Sequence, residues 1–368
     1  MTDRPAAQDA YAAAGVDTRR AGSAIDGLVE VLRSIEPRGG RRTVLGAGHY
    51  ASVVALDDRT GLAICTDGVG TKLIIAEQTG RFETVGIDCV AMNVNDLICV
   101  GAEPRAMVDY VAVEQADAEL LKSIAEGLKA GAERANIEIP GGELAQLPEM
   151  IKGHPSPLGV DLVGAAVGTV ALDRIVSGDA VAAGDAVLGL PSSGMHSNGF
   201  TLARKALFEL GGLSLDDPVP ETGRSLADVL LEPTEIYVAA VMDLLESPVE
   251  VHGLAHITGD GLLNLLRLNR SAGYTIDAPL PAQPIFDLVQ SHGDLSAAEM
   301  HEVFNMGTGF CCIVAERDRE SALELLASHY PAARRIGEVT AEAGVVRVPG
   351  AGLVGEATGF RPPPKGAP

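Results

Sequence analysis

Apolar residues recur along this chain with two periods, and the alternation between them outlines its elements. Short apolar runs over 50–56 and 62–66, bounded by Gly and Asp, read as strands. Between them Asp57-Asp58-Arg59-Thr60-Gly61 has the residues of a hairpin turn. A helical pattern covers 22–35, and 83–100 reads as a buried helix ending at Gly101. A strand-like run follows over 106–113. Asp117 then precedes an amphipathic stripe of Leu120, Leu121, Ile124 and Leu128, which predicts an N-capped helix. Residues 161–171 are β-rich. Further on come a strand over 186–190, a helix over 200–210 stopped by Gly211-Gly212, and strands over 254–258 and 309–315, each leading into a helical pattern.

This mixture of hairpin-like and strand–helix units predicts a mixed α/β (α+β) fold. The chain has 368 residues, enough for two domains. The break is expected in the Gly- and Ala-rich stretch 176–184, giving domains over 1–175 and 183–350, and the Pro-rich end, 361–368, is expected to be a disordered tail. Aromatics are 4% with no Trp, so Val, Ile, Leu and Ala must build the core. The five cysteines (Cys65, Cys89, Cys99, Cys311, Cys312) contain no CxxC pair, which suits free thiols in a reducing cytoplasm. No apolar run is long enough to cross a membrane, and the first residues lack a signal-peptide core.

Charge narrows the partners. The formal net charge is −22, from 28 basic and 50 acidic residues, so a nucleic-acid backbone is excluded as a partner by repulsion. A phosphorylated small molecule would need local cations, backbone N–H groups or a metal. Lysines number only six, so one inside a motif carries weight.

Six short motifs carry candidate chemistry. In Thr66-Asp67-Gly68-Val69-Gly70-Thr71-Lys72 a strand delivers Asp67 to a glycine-rich turn. Gly68, Gly70 and Thr71 can bring backbone N–H groups to an anion, Lys72 can reach a phosphate, and Asp67 can hold Mg²⁺. The spacing is not that of a Walker A loop, and a plain strand–turn with an exposed Asp competes with this reading. Asn93-Val94-Asn95-Asp96 lies late in an otherwise apolar helix, where polar groups are costly unless paired or metal-bound; capping before Gly101 is the alternative. Gly141-Gly142-Glu143, after an expected strand end, offers another carboxylate or a solvated turn. Ser192 to Gly199 (SSGMHSNG) sits between a strand and a helix, an arrangement that binds phosphate. There Ser193, Gly194, His196, Ser197 and Asn198 are candidate contacts, although an N-cap alone would explain Ser197 or Asn198. His256-Ile257-Thr258-Gly259-Asp260-Gly261 and Asn305-Met306-Gly307-Thr308-Gly309 are glycine turns at strand ends.

The order of these motifs is more specific than any one of them. TDGVGTK, VND, GGE, SSGMHSNGF, HITGDG and FNMGTG follow one another over residues 66–309. In that order they resemble the phosphoribosylformylglycinamidine cyclo-ligase (aminoimidazole ribonucleotide synthetase) family, over nearly the whole chain. The resemblance implies the two-domain PurM-like fold, a homodimer, and ATP-dependent ring closure of formylglycinamidine ribonucleotide. It implies Mg²⁺ on Asp67, Asp96 and Glu143, with Asp67, Lys72 and His196 as the catalytic set. It further implies nucleotide or substrate contacts at Gly68, Gly70, Thr71, Asn95, Asp96, Gly142, Glu143, Ser193, Gly194, Ser197 and Asn198. The chain departs from the family pattern at residues 45–51 (LGAGHYA), in having no lysine before Lys72, at Leu144 to Gln146 after the GGE, and in its added Asp260. A sister ATP-dependent enzyme of the same superfamily, or an inactive nucleotide-binding homologue, is the competing reading.

Overall fold

A carboxylate organises the first hairpin. Asp57 Oδ1 accepts from the N–H groups of Arg59 and Thr60, both at 2.8 Å, which closes the expected turn. In the computed structural model, which describes residues 14–15, 18–40 and 42–364 (backbone only for 18–23), this turn joins β2 (Ser52–Ala55) to β3 (Thr60–Gly68). With β1 (Thr43–Leu45), β4 (Glu103–Val113), β5 (Glu138–Gln146) and β6 (Val160–Ala171) they form a six-stranded sheet in the order β1-β2-β3-β6-β4-β5. Neighbours are antiparallel except β4 and β5, and a parallel pair needs a crossover.

The helices of this half are α1 (Thr18–Arg33), α2 (Leu73–Thr79), α3 (Glu83–Ile98) and α4 (Ala118–Ala135). The crossover is α4, capped as expected by Asp117, whose Oδ1 accepts from Glu119 and Leu120 N–H at 3.0 and 2.9 Å. Helix α3 lies against β3, β4 and β6, and α4 lies on α3. The two helices touch through Gly86 and Gly127, where a Cβ on Gly127 would collide with the Glu83 carbonyl. Among the described residues, no element covers the opposite face of the sheet. Ile64, Val108 and Tyr110 stand on it, each at least 40% exposed.

The second half holds β7 (Ala186–Pro191), β8 (Val251–His256), β9 (Gly273–Thr275), β10 (Thr308–Val314), β11 (Arg334–Thr340), β12 (Val346–Val348), β13 (Leu353–Glu356) and β14 (Gly359–Arg361). They form one sheet in the order β14-β13-β12-β9-β11-β7-β10-β8. Its helices are α5 (Phe200–Arg204), which continues as a π-helical stretch over Lys205–Leu210, then α6 (Leu226–Leu230), α7 (Val238–Glu246), α8 (Pro284–Gly293), α9 (Ala297–Val303) and α10 (Arg319–His329).

Two expectations shift. Strand β13 pairs onto β12 and β14 onto β13, so the second sheet runs beyond residue 350. Arg361 closes β14 instead of opening a tail, and residues 365–368 lie outside the described ones. In the stretch 176–184, Val176 and Val181 are buried and Val176 N–H donates to Val100 O at 3.2 Å.

A buried ion pair laces the halves together. Lys72 Nζ sits 2.7 Å from Asp88 Oδ2, and both side chains are 0% exposed. The ammonium also donates to the carbonyls of Glu232 (2.6 Å) and His196 (3.2 Å). Asp88 Oδ1 accepts from Thr234 N–H at 2.7 Å and its hydroxyl at 2.6 Å. One turn or two further along α3, Asn95 donates to Glu235 O at 2.8 Å and accepts from Tyr237 N–H at 3.0 Å. Breaking such a pair from one side leaves a buried charge. Lys72→Met should therefore cost about 3–5 kcal/mol in urea unfolding, and Lys72→Met with Asp88→Asn should recover much of that loss. A single-variant loss below about 1 kcal/mol, the worth of an exposed pair, would show that the pair does not hold the seam.

Candidate active site

The ends of β3, α3 and β8 meet at this seam, and they bring together Asp67, Asp96 and His256. Asn93, fully buried on α3, grips the backbone of Asp67 from both sides: Oδ1 accepts from Asp67 N–H at 3.0 Å, and Nδ2 donates to Asp67 O at 3.1 Å. Gly164 on β6 makes room for this, because a Cβ there would stand 2.5 Å from Asn93 Nδ2. Asp67 Oδ1 accepts from Gly68 N–H at 2.7 Å. Asp96 Oδ1 lies 3.0 Å from His256 Nδ1. Burial, and next the charge of Asp96, push the Asp67 carboxyl up to about 6, against the lowering pull of Gly68 N–H, His256 and Arg267. A carboxyl raised by the charge of a neighbouring carboxylate is the donor chemistry of a divalent-cation site, which Mg²⁺ completes with phosphate oxygens.

The third carboxylate is not part of this group. Gly142 and Glu143 lie inside the edge strand β5 rather than after a strand end. Asp67 pairs with Gly164, Gly164 with Asp109, and Asp109 with Gly142. Asp67 and Gly142 are thus three strand spacings apart, about 14 Å. Alternation turns Glu143 to the bare face, whereas Asp67 faces α3. Among the described residues no three His, Cys, Asp or Glu side chains gather as a metal cage. Asp260 pairs with Arg267 at 3.0 Å in the other half.

Other expected contacts are committed to the fold. Lys72 cannot reach a phosphate from its buried pair, and both ends of the Asn95 amide bind backbone. Thr71 Oγ1 meets Thr201 Oγ1 at 2.9 Å. In the 192–199 loop, Ser193 Oγ donates to Pro233 O at 2.6 Å, Gly194 O accepts from Asn305 Nδ2 at 2.8 Å, and Ser197 Oγ lies 3.4 Å from Thr234 Oγ1. His196, at φ 61°, is enclosed, and its Nε2 accepts from Ser193 N–H at 3.3 Å. Burial, then His256 and Lys72, hold its pKa well below the ordinary histidine value, so it is neutral.

What remains open is a set of shielded polar atoms without partners: both ring nitrogens of His49, His196 Nδ1, Asn198 Nδ2 and His256 Nε2. Buried polar groups are nearly always satisfied, so these atoms, without partners among the described residues, are candidates for ligand contacts. Sequence reasoning did not single out Asn93, His49, Tyr50 and Arg267. Asn93 was visible as a third polar residue in an apolar helix, and His49 and Tyr50 as the departures in 45–51. Arg267 gave no signal.

This geometry defines a two-part seam enzyme, and comparison with known proteins places it. The family "AIR synthase related protein, N-terminal domain" matches residues 48–170, and its C-terminal counterpart matches 182–349. The phosphoribosylformylglycinamidine cyclo-ligase of Methanothermobacter thermautotrophicus is 48% identical over 297 residues, covering 81% of this chain and 85% of that one. The protein of the same name from Thermococcus kodakarensis is 46% identical over 338 residues, covering 91% and 96%. Solved structures share the fold: "AaThiL complexed with AMPPCP and TMP" (TM-score 0.60, 17% identity, 89% and 92% covered) and "Hydrogenase Maturation Protein HypE in complex with ATP" (0.58, 22%, 84% and 86%). The chain belongs to the phosphoribosylformylglycinamidine cyclo-ligase family, and is a ligase.

The Asp67 shift has a consequence for stability. A carboxyl held above its unfolded value contributes stability that is complete below about pH 4 and is lost as pH rises through about 6. Asp67→Asn should therefore raise the melting temperature of the metal-free protein at pH 8, with little change at pH 4. An equal shift at both pH values would remove the carboxyl as the cause.

Proposed function

We propose that this chain closes the imidazole ring of 5-aminoimidazole ribonucleotide from formylglycinamidine ribonucleotide, with conversion of ATP to ADP and phosphate. The observation that carries this reading is the near full-length identity of 43–48% to proteins bearing the cyclo-ligase name. ATP activates the formyl oxygen as a phosphate ester; an amidine nitrogen attacks that carbon, and phosphate leaves. Such transfer needs positioning and charge neutralisation more than covalent chemistry from the protein.

The residues of the seam suit those needs. Asp67 and Asp96 would hold Mg²⁺, which supplies charge neutralisation across the ATP phosphates. Asn93 fixes where Asp67 stands, and His256 fixes one oxygen of Asp96, leaving the other for the cation. The unpartnered Asn198 and His49 would donate to or accept from bound ligand. Lys72 and His196 shape the seam from beneath and do not touch the reacting atoms. The distance of Glu143 from Asp67 argues against a metal shared by both within one chain.

A homodimer is part of the proposal. The bare face bearing Ile64, Val108 and Tyr110, with partly exposed Val163 and Val167 beside them, is an apolar surface of the sort a second copy covers. Five free cysteines, four of them buried, and the absence of any membrane-length apolar helix among the described residues support a cytoplasmic enzyme.

Purified protein with Mg²⁺ should form aminoimidazole ribonucleotide only when both ATP and formylglycinamidine ribonucleotide are present. Asp67→Asn should abolish that turnover with the fold intact, and full activity in this variant would overturn the metal assignment. ATP bound without product would favour a sister activity or an inactive homologue. Tyr110→Asp with Val108→Asp should halve the mass measured by light scattering, and an unchanged mass would move the interface elsewhere.

A further inference from the structure

Lys72 is committed to its buried pair, so in a chain of net charge −22 a phosphate at this site calls for another side-chain cation beside the metal. The structure provides another. Gly261–Arg267 is a short 3₁₀ helix that directly follows the HITGD turn, and His256 at the start of that turn is bonded to Asp96. The turn is tied to the helix by Asn264, whose Oδ1 accepts from Thr258 N–H at 2.7 Å. Arg267 at the helix end thus belongs to the same unit as the Asp96–His256 pair.

Its guanidinium is held from two sides. It lies over the Tyr50 ring at 5.3 Å from the centroid, and its NH2 is 3.0 Å from Asp260 Oδ2. Tyr50 is itself fixed, buried, with its hydroxyl donating to Asn264 O at 3.2 Å. A stacked arginine loses little further freedom on binding an anion. Arg267 is also not sealed in, being 39% exposed where Asp260 is 55% exposed. Its charge acts on Asp67, and Asp96 in turn acts on it. Beside it His49 meets Tyr50 edge-on at 5.6 Å, with both ring nitrogens shielded and unpartnered. Tyr50 and Asp260 thus converge on one arginine, with His49 packed against Tyr50.

We propose that Arg267, aimed by Tyr50 and Asp260, is the cation that receives a phosphate group at this site, with His49 beside it. This rests on the cyclo-ligase reading for the identity of the ligands, which are the triphosphate of ATP and the 5′-phosphate of the ribonucleotide. Arg267's fork matches phosphate oxygens in a way a lysine does not. Asp260 keeps the guanidinium pointed before the ligand arrives, and Tyr50 supplies a surface that excludes water from one of its faces.

The test measures binding by calorimetry, independently of turnover, with two probes: a non-hydrolysable ATP analogue with Mg²⁺, and formylglycinamidine ribonucleotide. Arg267→Gln should weaken at least one of them tenfold or more and lower kcat/KM by about 100-fold, the scale of losing one charge-stabilising donor. Weakening of the nucleotide alone assigns the arginine to the triphosphate, and weakening of the ribonucleotide alone assigns it to the 5′-phosphate. Arg267→Lys keeps charge and stem and guards against misfolding; it should recover only part of the affinity. Tyr50→Leu, which removes the ring, should weaken the same probe as Arg267→Gln. Binding of both probes within twofold of wild type in folded Arg267→Gln would overturn the inference. Wild-type protein that binds the nucleotide but forms no aminoimidazole ribonucleotide would overturn the assigned reaction, while Arg267 would still be judged by the binding data.

Discussion

An ammonium group with no access to water holds this molecule together. Lys72 gives up its hydration and must be repaid in full by Asp88 and two backbone carbonyls, because an unpaired charge at that depth would be untenable. Two of those acceptors, His196 O and Glu232 O, come from the second half. The halves must therefore meet in one register for the charge to be satisfied. That register also sets the glycine-rich turn ahead of Lys72 and so the place where Asp67 is presented.

Helix α3 distributes the remaining polar interactions. It is apolar enough to be almost entirely buried between the first sheet, α4 and α7, yet it carries Asp88, Asn93, Asn95 and Asp96. Each has a separate partner: Lys72 with Thr234, the backbone of Asp67, the backbone at 235–237, and His256. Asp67 and Asp96 keep a mutual repulsion that raises the Asp67 carboxyl. Such a pair is a poor design for stability alone and a good one for binding a cation.

Fold and function separate cleanly across the relatives. Proteins at 17–23% identity with other names share the two-sheet architecture, whereas the cyclo-ligases at 43–48% match over most of the chain. Sheets and covering helices tolerate wide substitution so long as apolar positions are kept. At the seam the side chains are linked to one another: Arg267 stacks on Tyr50 and pairs with Asp260, and His49 meets Tyr50 edge-on.

Local chemistry alone was enough for much of this. Asp57 closing its turn, Asp117 capping α4, the buried helix before Gly101 and the strands at 62–66, 106–113, 161–171 and 186–190 all stood in the sequence, because turns, caps and apolar periods are decided by neighbours a few residues apart. The motif order also carried the family. Short strands such as β9 and β12–β14 were not legible, since three or four residues have no period of their own and form only where a sheet edge receives them. The roles of Lys72, Asn95, His196 and Glu143 were equally out of reach. A lysine in a glycine-rich motif looks the same whether it meets a phosphate or a buried aspartate, and a carboxylate gives no sign of which sheet face it takes. For Lys72 and Asn95 the outcome depends on residues more than a hundred positions away, at 196 and 232–237, which only the packing of one half on the other brings within bonding distance; for Glu143 it depends on the sheet pairing of β5 with β4.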